Sequence, residues 1–302
     1  MILSLITVNY HSDEDTLSLI NDLEKCDIPT GADIKIIVVD NSRSEEFKKM
    51  LESHGNVIYV DSPKGNIGFA AGNNLGIKKA LEINSDLVVL INNDTQAPKD
   101  LLVNILNSPI NDNDVGIVGG LIYFAKGFEY EDKYTEADLG KVIWYAGGKL
   151  DWNNVYGSHL GVNEVDKGQY HGTYDTDFVT GCLLITKKSI LNKVGLLNEK
   201  YCLYHEDTDF NLRVKKAGFR LVVDTKIKLW HKVAQSSGIG SPLNDYFLTR
   251  NRLVLGMDYA STRTKIALLR EAFRKLFNGT KPQKQAVRDF FLCNLGKGSW
   301  LK

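Results

Sequence analysis

Short, β-branched apolar runs alternate along the first third of the chain with longer segments of helical period. Ile2–Val8, Ile34–Val39 and Leu87–Ile91 are such runs, and Val57–Val60 adds a fourth. Between them, Asp15–Lys25, Glu45–Ser53 and Asn73–Glu82 place apolar residues at helical spacing. The order reads β-α-β-α-β-α-β. Strand runs that stay apolar instead of alternating are those of a sheet buried on both faces, so the pattern predicts an α/β, doubly wound, mostly parallel nucleotide-binding sheet.

From Gly119 to Asp177 the pattern loosens into Gly- and aromatic-rich sequence, including Trp144-Tyr-Ala-Gly-Gly148. This stretch reads as a variable, partly loop-built substrate region. Regularity returns with a strand over Phe178–Thr186, a helix over Glu206–Ala217 stopped by Gly218, and a strand over Arg220–Asp224. After His231 a polar Gly/Ser stretch leads to Ser241-Pro242, and helices are predicted from Asn244 onward.

Composition changes this picture little. A length of 302 residues, 43% hydrophobic and 25% charged, fits one large globular domain with a helical appendage. Met1–Val8 lacks a basic leader and turns polar at Asn9, so it reads as a first strand; no run approaches the ~18 apolar residues of a membrane helix. Cys26, Cys182, Cys202 and Cys293 lie far apart with no Cys-x-x-Cys spacing. That argues against a zinc knuckle and a disulfide framework, and points to the cytoplasm.

Charge is uneven although it sums to zero. Residues 261–302 hold ten bases against only Glu271 and Asp289, interleaved with Phe273, Phe277, Phe290, Phe291 and Trp300. Two readings stand level: contact with an anionic membrane surface, or a solvated helical face whose aromatics pack on the main domain. Nucleic acid is not an expected partner, because the tail carries no recognised binding motif.

Sheets of this kind bind ligands beyond the carboxyl ends of their strands. There the sequence places Asn9-Tyr10-His11-Ser12, Asp40-Asn41-Ser42 and Asn92-Asn93-Asp94-Thr95. Asp94 is a candidate ligand for Mg²⁺ or Mn²⁺, with diphosphate oxygens and water completing the shell; an Asx turn before the helix near Pro98 is the competing reading. The Gly65–Asn74 loop opens a helix with small residues that let backbone N–H groups approach phosphate or sugar. It is neither a dinucleotide fingerprint nor a P-loop.

In Tyr201–Phe210, Asp207 shares a stripe with Phe210, Val214 and Ala217, which puts its carboxylate at the N-terminal end of an inward helix face. The helix dipole there favours the ionised form a general base needs. Glu206 and Asp209 flank it, and Asp209 can pair with Arg213. Capping explains one such acid but not an inward one beside another. His231, after Leu229-Trp230, is either a ligand for Mn²⁺ or a structural imidazole.

Taken in this order, the segments resemble the family 2 glycosyltransferases of GT-A fold, especially the bacterial rhamnosyltransferase-like branch, over roughly Leu3–Leu255. The resemblance rests on Val8-Asn-Tyr-His-Ser12, Val38-Val-Asp-Asn-Ser42, Asn66-Ile-Gly-Phe-Ala-Ala-Gly-Asn73, Leu90-Ile-Asn-Asn-Asp-Thr95, Thr180-Gly-Cys182, Tyr204-His-Glu-Asp-Thr-Asp209 and Trp230-His231. It implies that Val8, Tyr10 and Asp40 meet the nucleobase and ribose, and that Asn66, Gly68 and Asn73 line the donor pocket. Asn92-Asn93-Asp94, also at the nucleotide sugar, stands where the family has Asp-x-Asp, so Asp94 is the remaining metal ligand. Glu206-Asp207 matches the Glu-Asp pair, with Asp207 as base, and His231 matches a late His that closes on metal or diphosphate. Tyr246–Asn251 looks like the branch's helical extension and receives no role.

What the resemblance implies is inverting transfer, with Mn²⁺ or Mg²⁺, from dTDP-L-rhamnose or a UDP-hexose to a hydroxyl of a growing bacterial surface glycan, free or lipid-linked. The expected plan is a domain over 1–240, with a nucleotide-binding half (1–118) and an acceptor and donor-sugar half (119–240), followed by a helical extension over 241–302. Cytoplasmic location, with peripheral attachment at the inner face of the membrane if the tail meets lipid, completes it. A sugar nucleotidyltransferase would open with a Gly-rich basic loop after strand one, and Asn9–Asp13 has neither glycine nor base. A non-catalytic carbohydrate- or partner-binding module would have no use for an inward carboxylate beside a nucleotide site.

Overall fold

The computed structural model describes residues 1–233 and 240–300. The chain runs β1 (Ile2–Asn9), α1 (Asp13–Glu24), β2 (Asp33–Asp40), α2 (Glu45–Leu51), β3 (Val57–Asp61), α3 (Phe69–Glu82) and β4 (Leu87–Ile91). There follow β5 (Thr95–Gln96), α4 (Leu101–Leu106), β6 (Val115–Phe124), β7 (Ile143–Tyr145), β8 (Gly148–Asp151), β9 (Tyr156–His159), β10 (Thr173–Asp175) and β11 (Leu183–Lys187). Then come α5 (Lys188–Val194), α6 (Glu206–Lys216), β12 (Arg220–His231), α7 (Pro242–Tyr259), α8 (Thr262–Asn278) and α9 (Lys281–Phe291).

The main sheet has the order β10-β12-β6-β11-β4-β1-β2-β3. Its longest ladders, β1 with β2 and β6 with β12, are parallel, as are β1 with β4 and β2 with β3; β11 runs antiparallel to both of its neighbours. Alternate residues feed separate cores on the two faces: Leu3, Leu5, Ile36 and Val38 on one, Ile6, Ile37 and Val39 on the other. Helices cover both, which is the doubly wound arrangement the continuous apolar runs require.

The segment from Gly119 to Asp177 departs most from expectation. It holds most of β6, whose ten residues are all buried in mid-sheet, and strands β7 to β10. Glycine hid β6 from a propensity reading. A Cβ on Gly119 would stand 2.8 Å from Val179 Cγ1, and one on Gly120 would stand 2.6 Å from the Ile227 carbonyl oxygen, so close packing excludes any side chain there.

Three boundaries shift in ways that build the rim. β12 does not stop at Asp224; its ladder with β6 slips between Asp224 and Lys228 and resumes as far as His231↔Phe124. Residues 178–182 form no strand, and β11 starts at Leu183 opposite Ile91 of β4. α3 begins at Phe69, so Asn73 lies inside it.

The extension is three helices whose caps are Ser241, Ser261 and Thr280, each accepting an N–H from the first turn. The proposed domain boundary near 240 adjoins residues 234–239, which lie outside the described ones. Among the described residues no helix is long and apolar enough to cross a membrane.

Candidate active site

The carboxyl ends of β1, β2 and β4 share one rim, with Asn9 paired in register to Asp40. Asp40 is fully buried. One of its oxygens accepts from Ser42 N (2.8 Å) and Asn9 Nδ2 (3.2 Å), the other from Ser44 N (2.8 Å) and Tyr59 Oη (3.1 Å). Four donors fill a carboxylate's acceptor sites, so Asp40 braces the β2–α2 loop. Tyr10 stands exposed beside His11, while Val8 packs against Gly72 of α3.

The Asn66–Asn73 loop is organised differently from expectation. Asn66 Oδ1 accepts from Gly68 N at 2.9 Å, and Gly68 adopts φ +89°, where a Cβ would lie 2.4 Å from Cys202 Sγ. The first N–H groups of α3, on Phe69 and Ala70, donate to the Cys202 carbonyl at 2.8 and 3.1 Å and are not left for a phosphate. Asn73 is buried and bonds the Phe69 carbonyl at 3.0 Å. The glycine room thus joins this loop to residues 201–205.

Asp94 and His231 meet at the same rim, both buried, with Oδ1 and Nε2 3.1 Å apart. Burial works against a charged imidazole, but Cys182 and Asp94 outweigh it and raise the His231 pKa to about 10. Trp144 stacks edge-on against the ring, with centroids 4.5 Å apart. His231 Nδ1 and Asn92 Oδ1 are buried with no hydrogen-bond partner among the described residues. Asn93 turns away and donates to Thr16 Oγ1 at 3.0 Å.

The 3.1 Å contact is a hydrogen bond; neighbouring ligands about 2.1 Å from one octahedral cation also stand roughly 3 Å apart, so a cation binding both groups would replace the proton between them. Among the described residues no group of three or more His, Cys, Asp or Glu is placed to hold a metal ion. A cation held here would draw its other ligands from water and substrate oxygens, as Mg²⁺ sites at phosphates do.

Asp207, in the first turn of α6, accepts from Gly181 N at 2.9 Å and from Thr208 N at 2.6 Å. Cys182, next to Gly181, lies beside His231, and its carbonyl accepts from Asn92 N at 3.1 Å. The turn at Gly181-Cys182 therefore stands between the two carboxylates, which face one rim. Phe210 and Val214 lie buried below Asp207, as the stripe predicts, and Glu206, expected on the flank, is buried as well.

Burial raises both carboxyls; for Glu206, pushed well above its usual range, the charge of Asp207 adds to the effect. The Gly181 and Thr208 amides pull against this at Asp207, whereas Glu206 Oε2 has no partner among the described residues. Of the two, Asp207 is the one whose ionised form neighbouring amides stabilise. A folded-state pKa above the ordinary 4.5 stabilises the fold below that value and loses the contribution as pH rises toward the folded pKa. Glu206→Gln should therefore gain in melting temperature over wild type as pH moves from 5 to 8, in paired thermal scans; a constant difference would mean an ionised Glu206.

The turn ahead of α6 carries three non-glycine residues at positive φ, Cys202 (64°), Tyr204 (66°) and His205 (71°). Such conformations cost on the order of 1 kcal/mol each and persist only when their surroundings hold them. Here α7 does so. Asn251 Nδ2 donates to the carbonyls of Tyr201 (2.8 Å), Leu203 (2.7 Å) and Tyr204 (3.0 Å), and Arg250 Nη2 donates to those of Tyr201 (3.0 Å) and Lys200 (3.4 Å). Sequence reasoning left Trp144, Cys182, Arg250 and Asn251 without a role; the last two stand in a polar run, Thr249–Arg252, that helical period alone does not connect to the turn before Asp207.

A mixed, mostly parallel sheet with helices on both faces is the architecture of GT-A glycosyltransferases. The mannosyltransferase PcManGT of Pyrobaculum calidifontis, solved with GDP-Man and Mn²⁺, superposes with a TM-score of 0.55 at 15% identity over 99% of this chain and 77% of its own. GalNAc-T7, solved with UDP, GalNAc and Mn²⁺, gives 0.69 at 14% identity over 99% of this chain and 55% of its own. The sequence profile of Glycosyl transferase family 2 matches residues 4–195, and the chain belongs to that family. The low-salt glycan biosynthesis hexosyltransferase Agl10 of Haloferax volcanii is 27% identical over 221 residues, which is 72% of this chain but only 63% of that relative.

Proposed function

We propose that this protein transfers a hexose from a nucleotide diphosphate sugar to a hydroxyl of a growing glycan, with inversion at the anomeric carbon. The observation that carries the reading is the placement of Asp207 and the Asp94–His231 pair on either side of Gly181-Cys182 at one rim. The proton of the acceptor hydroxyl passes to the Asp207 carboxylate as its oxygen bonds the anomeric carbon. The bond to the diphosphate oxygen breaks, and its electron pair leaves with the nucleoside diphosphate. Glu206, held neutral, keeps a second charge out of the site. Tyr10 and Val8 flank the nucleobase, and Asp40 acts by bracing its loop.

Asp94 and His231 would hold Mn²⁺ or Mg²⁺, with Asn92 at the same edge; when bound, such an ion offsets charge on the departing diphosphate. The presence of Mn²⁺ and nucleotide or nucleotide sugar in PcManGT and GalNAc-T7 supports this. dTDP-L-rhamnose and UDP-hexoses are the first donors to try, and the four free thiols fit a cytoplasmic setting.

Incubation with Mn²⁺ and a panel that adds GDP-mannose should release a nucleoside diphosphate from one donor. Neither release, transfer nor nucleoside diphosphate binding from any donor would leave a non-catalytic module as the reading. Asp94→Ala should weaken Mn²⁺ binding in calorimetric titration by at least about tenfold; an unchanged titration would remove it as a ligand.

A further inference from the structure

The outer side of the C-terminal helices takes no part in the rim. α8 buries Thr264, Leu268 and Ala272 and presents Ile266, Arg270, Phe273, Arg274 and Phe277 outward at steps of three and four residues. Phe273 is 59% exposed and Phe277 72%. α9 extends the patch: the Phe291 ring lies 6.0 Å from that of Phe273, and Leu292, just past its end, is 76% exposed. Phe290 and Trp300 do pack inward, Trp300 by stacking on Tyr246, so only part of the tail's aromatic content is accounted for by the domain.

Both acids of the tail are drawn away from this face. Glu271 is gripped by Arg252 at 2.8 and 2.9 Å, and Asp289 is buried on Ser299 and Asn294. Arg270, Arg274 and Arg288 remain exposed. Over the described part of the tail the outward surface is aromatic and cationic, with no free carboxylate.

We propose that this face docks on an anionic phospholipid bilayer, with α8 lying in the headgroup plane, its rings in the acyl boundary and its arginines on lipid phosphates. Exposed rings at helical spacing flanked by arginine are the pattern of an interfacial helix. A second copy of the chain would set like charges against each other. With no helix suited to crossing among the described residues, the attachment is peripheral. The inference does not rest on sugar transfer, because lipid binding needs no donor.

Co-sedimentation of the full chain with vesicles tests it. The protein should pellet with vesicles rich in phosphatidylglycerol and not with phosphatidylcholine alone, and added salt should weaken binding. Phe273→Ser with Phe277→Ser, and separately Arg270→Glu with Arg274→Glu, should each reduce binding about tenfold or more at unchanged melting temperature, since these side chains are exposed. Equal pelleting with and without phosphatidylglycerol vesicles, or full binding by both variants, overturns the proposal. A concentration-dependent dimer abolished by the same serine substitutions would give the face to a second copy and likewise overturn it.

Discussion

Asp207→Asn should lower kcat by about 10²–10⁴ while leaving the dissociation constant for nucleoside diphosphate within about twofold of wild type. Asparagine keeps the size of the side chain and an oxygen for Gly181 N, now bonded at 2.9 Å. What it loses is a proton acceptor. Because burial lifts the Asp207 carboxyl, kcat/KM of the wild type should fall on the acid side at a pH above that of an ordinary aspartate. Transfer within a few-fold of wild type in the Asn variant would assign the base elsewhere.

Asn251→Ala should lower both stability and turnover, although the residue belongs to the extension. It removes the side-chain donor from the Leu203 and Tyr204 carbonyls and one of several from that of Tyr201, at about 2–4 kcal/mol, or roughly 3–6 °C in melting temperature for a chain of this length. The released turn contains Cys202, whose carbonyl caps α3, and His205, which opens α6. Misplacing Asp207 by ~1 Å would cost on the order of 10²-fold in kcat. Leu268→Ala, in the core between α7 and α8, supplies the control: it should cost similar stability yet keep turnover per folded molecule. If the two variants lose turnover alike, Asn251 has only a structural role.

The parts of the site that sequence made legible are those whose signal is local. Asp94 follows a fully apolar run, and Asp207 heads a stripe with Phe210 and Val214; both facts depend only on strand or helix period. Asp40 also comes to the rim by period, but its four donors include Tyr59, a residue on the next strand that no local reading connects to it. The Gly68 loop misled for a related reason: glycine signals close approach but does not say to what, and here the partner is Cys202, not a phosphate.

By itself, the sequence determined the strand and helix order of the first 118 residues, their double cover of helices, and the rim at which the polar residues collect. These follow from the period of apolar positions, which each segment carries within itself. Only the tertiary structure decided that Gly119-Gly120 lie in a central strand, that β12 reaches far enough to set His231 on Asp94, and that Asn251 holds the turn before Asp207. Each of those outcomes depends on backbone approach or hydrogen bonding between segments tens of residues or more apart. Pairings at that range are fixed by how the whole core packs, and no window of sequence contains them.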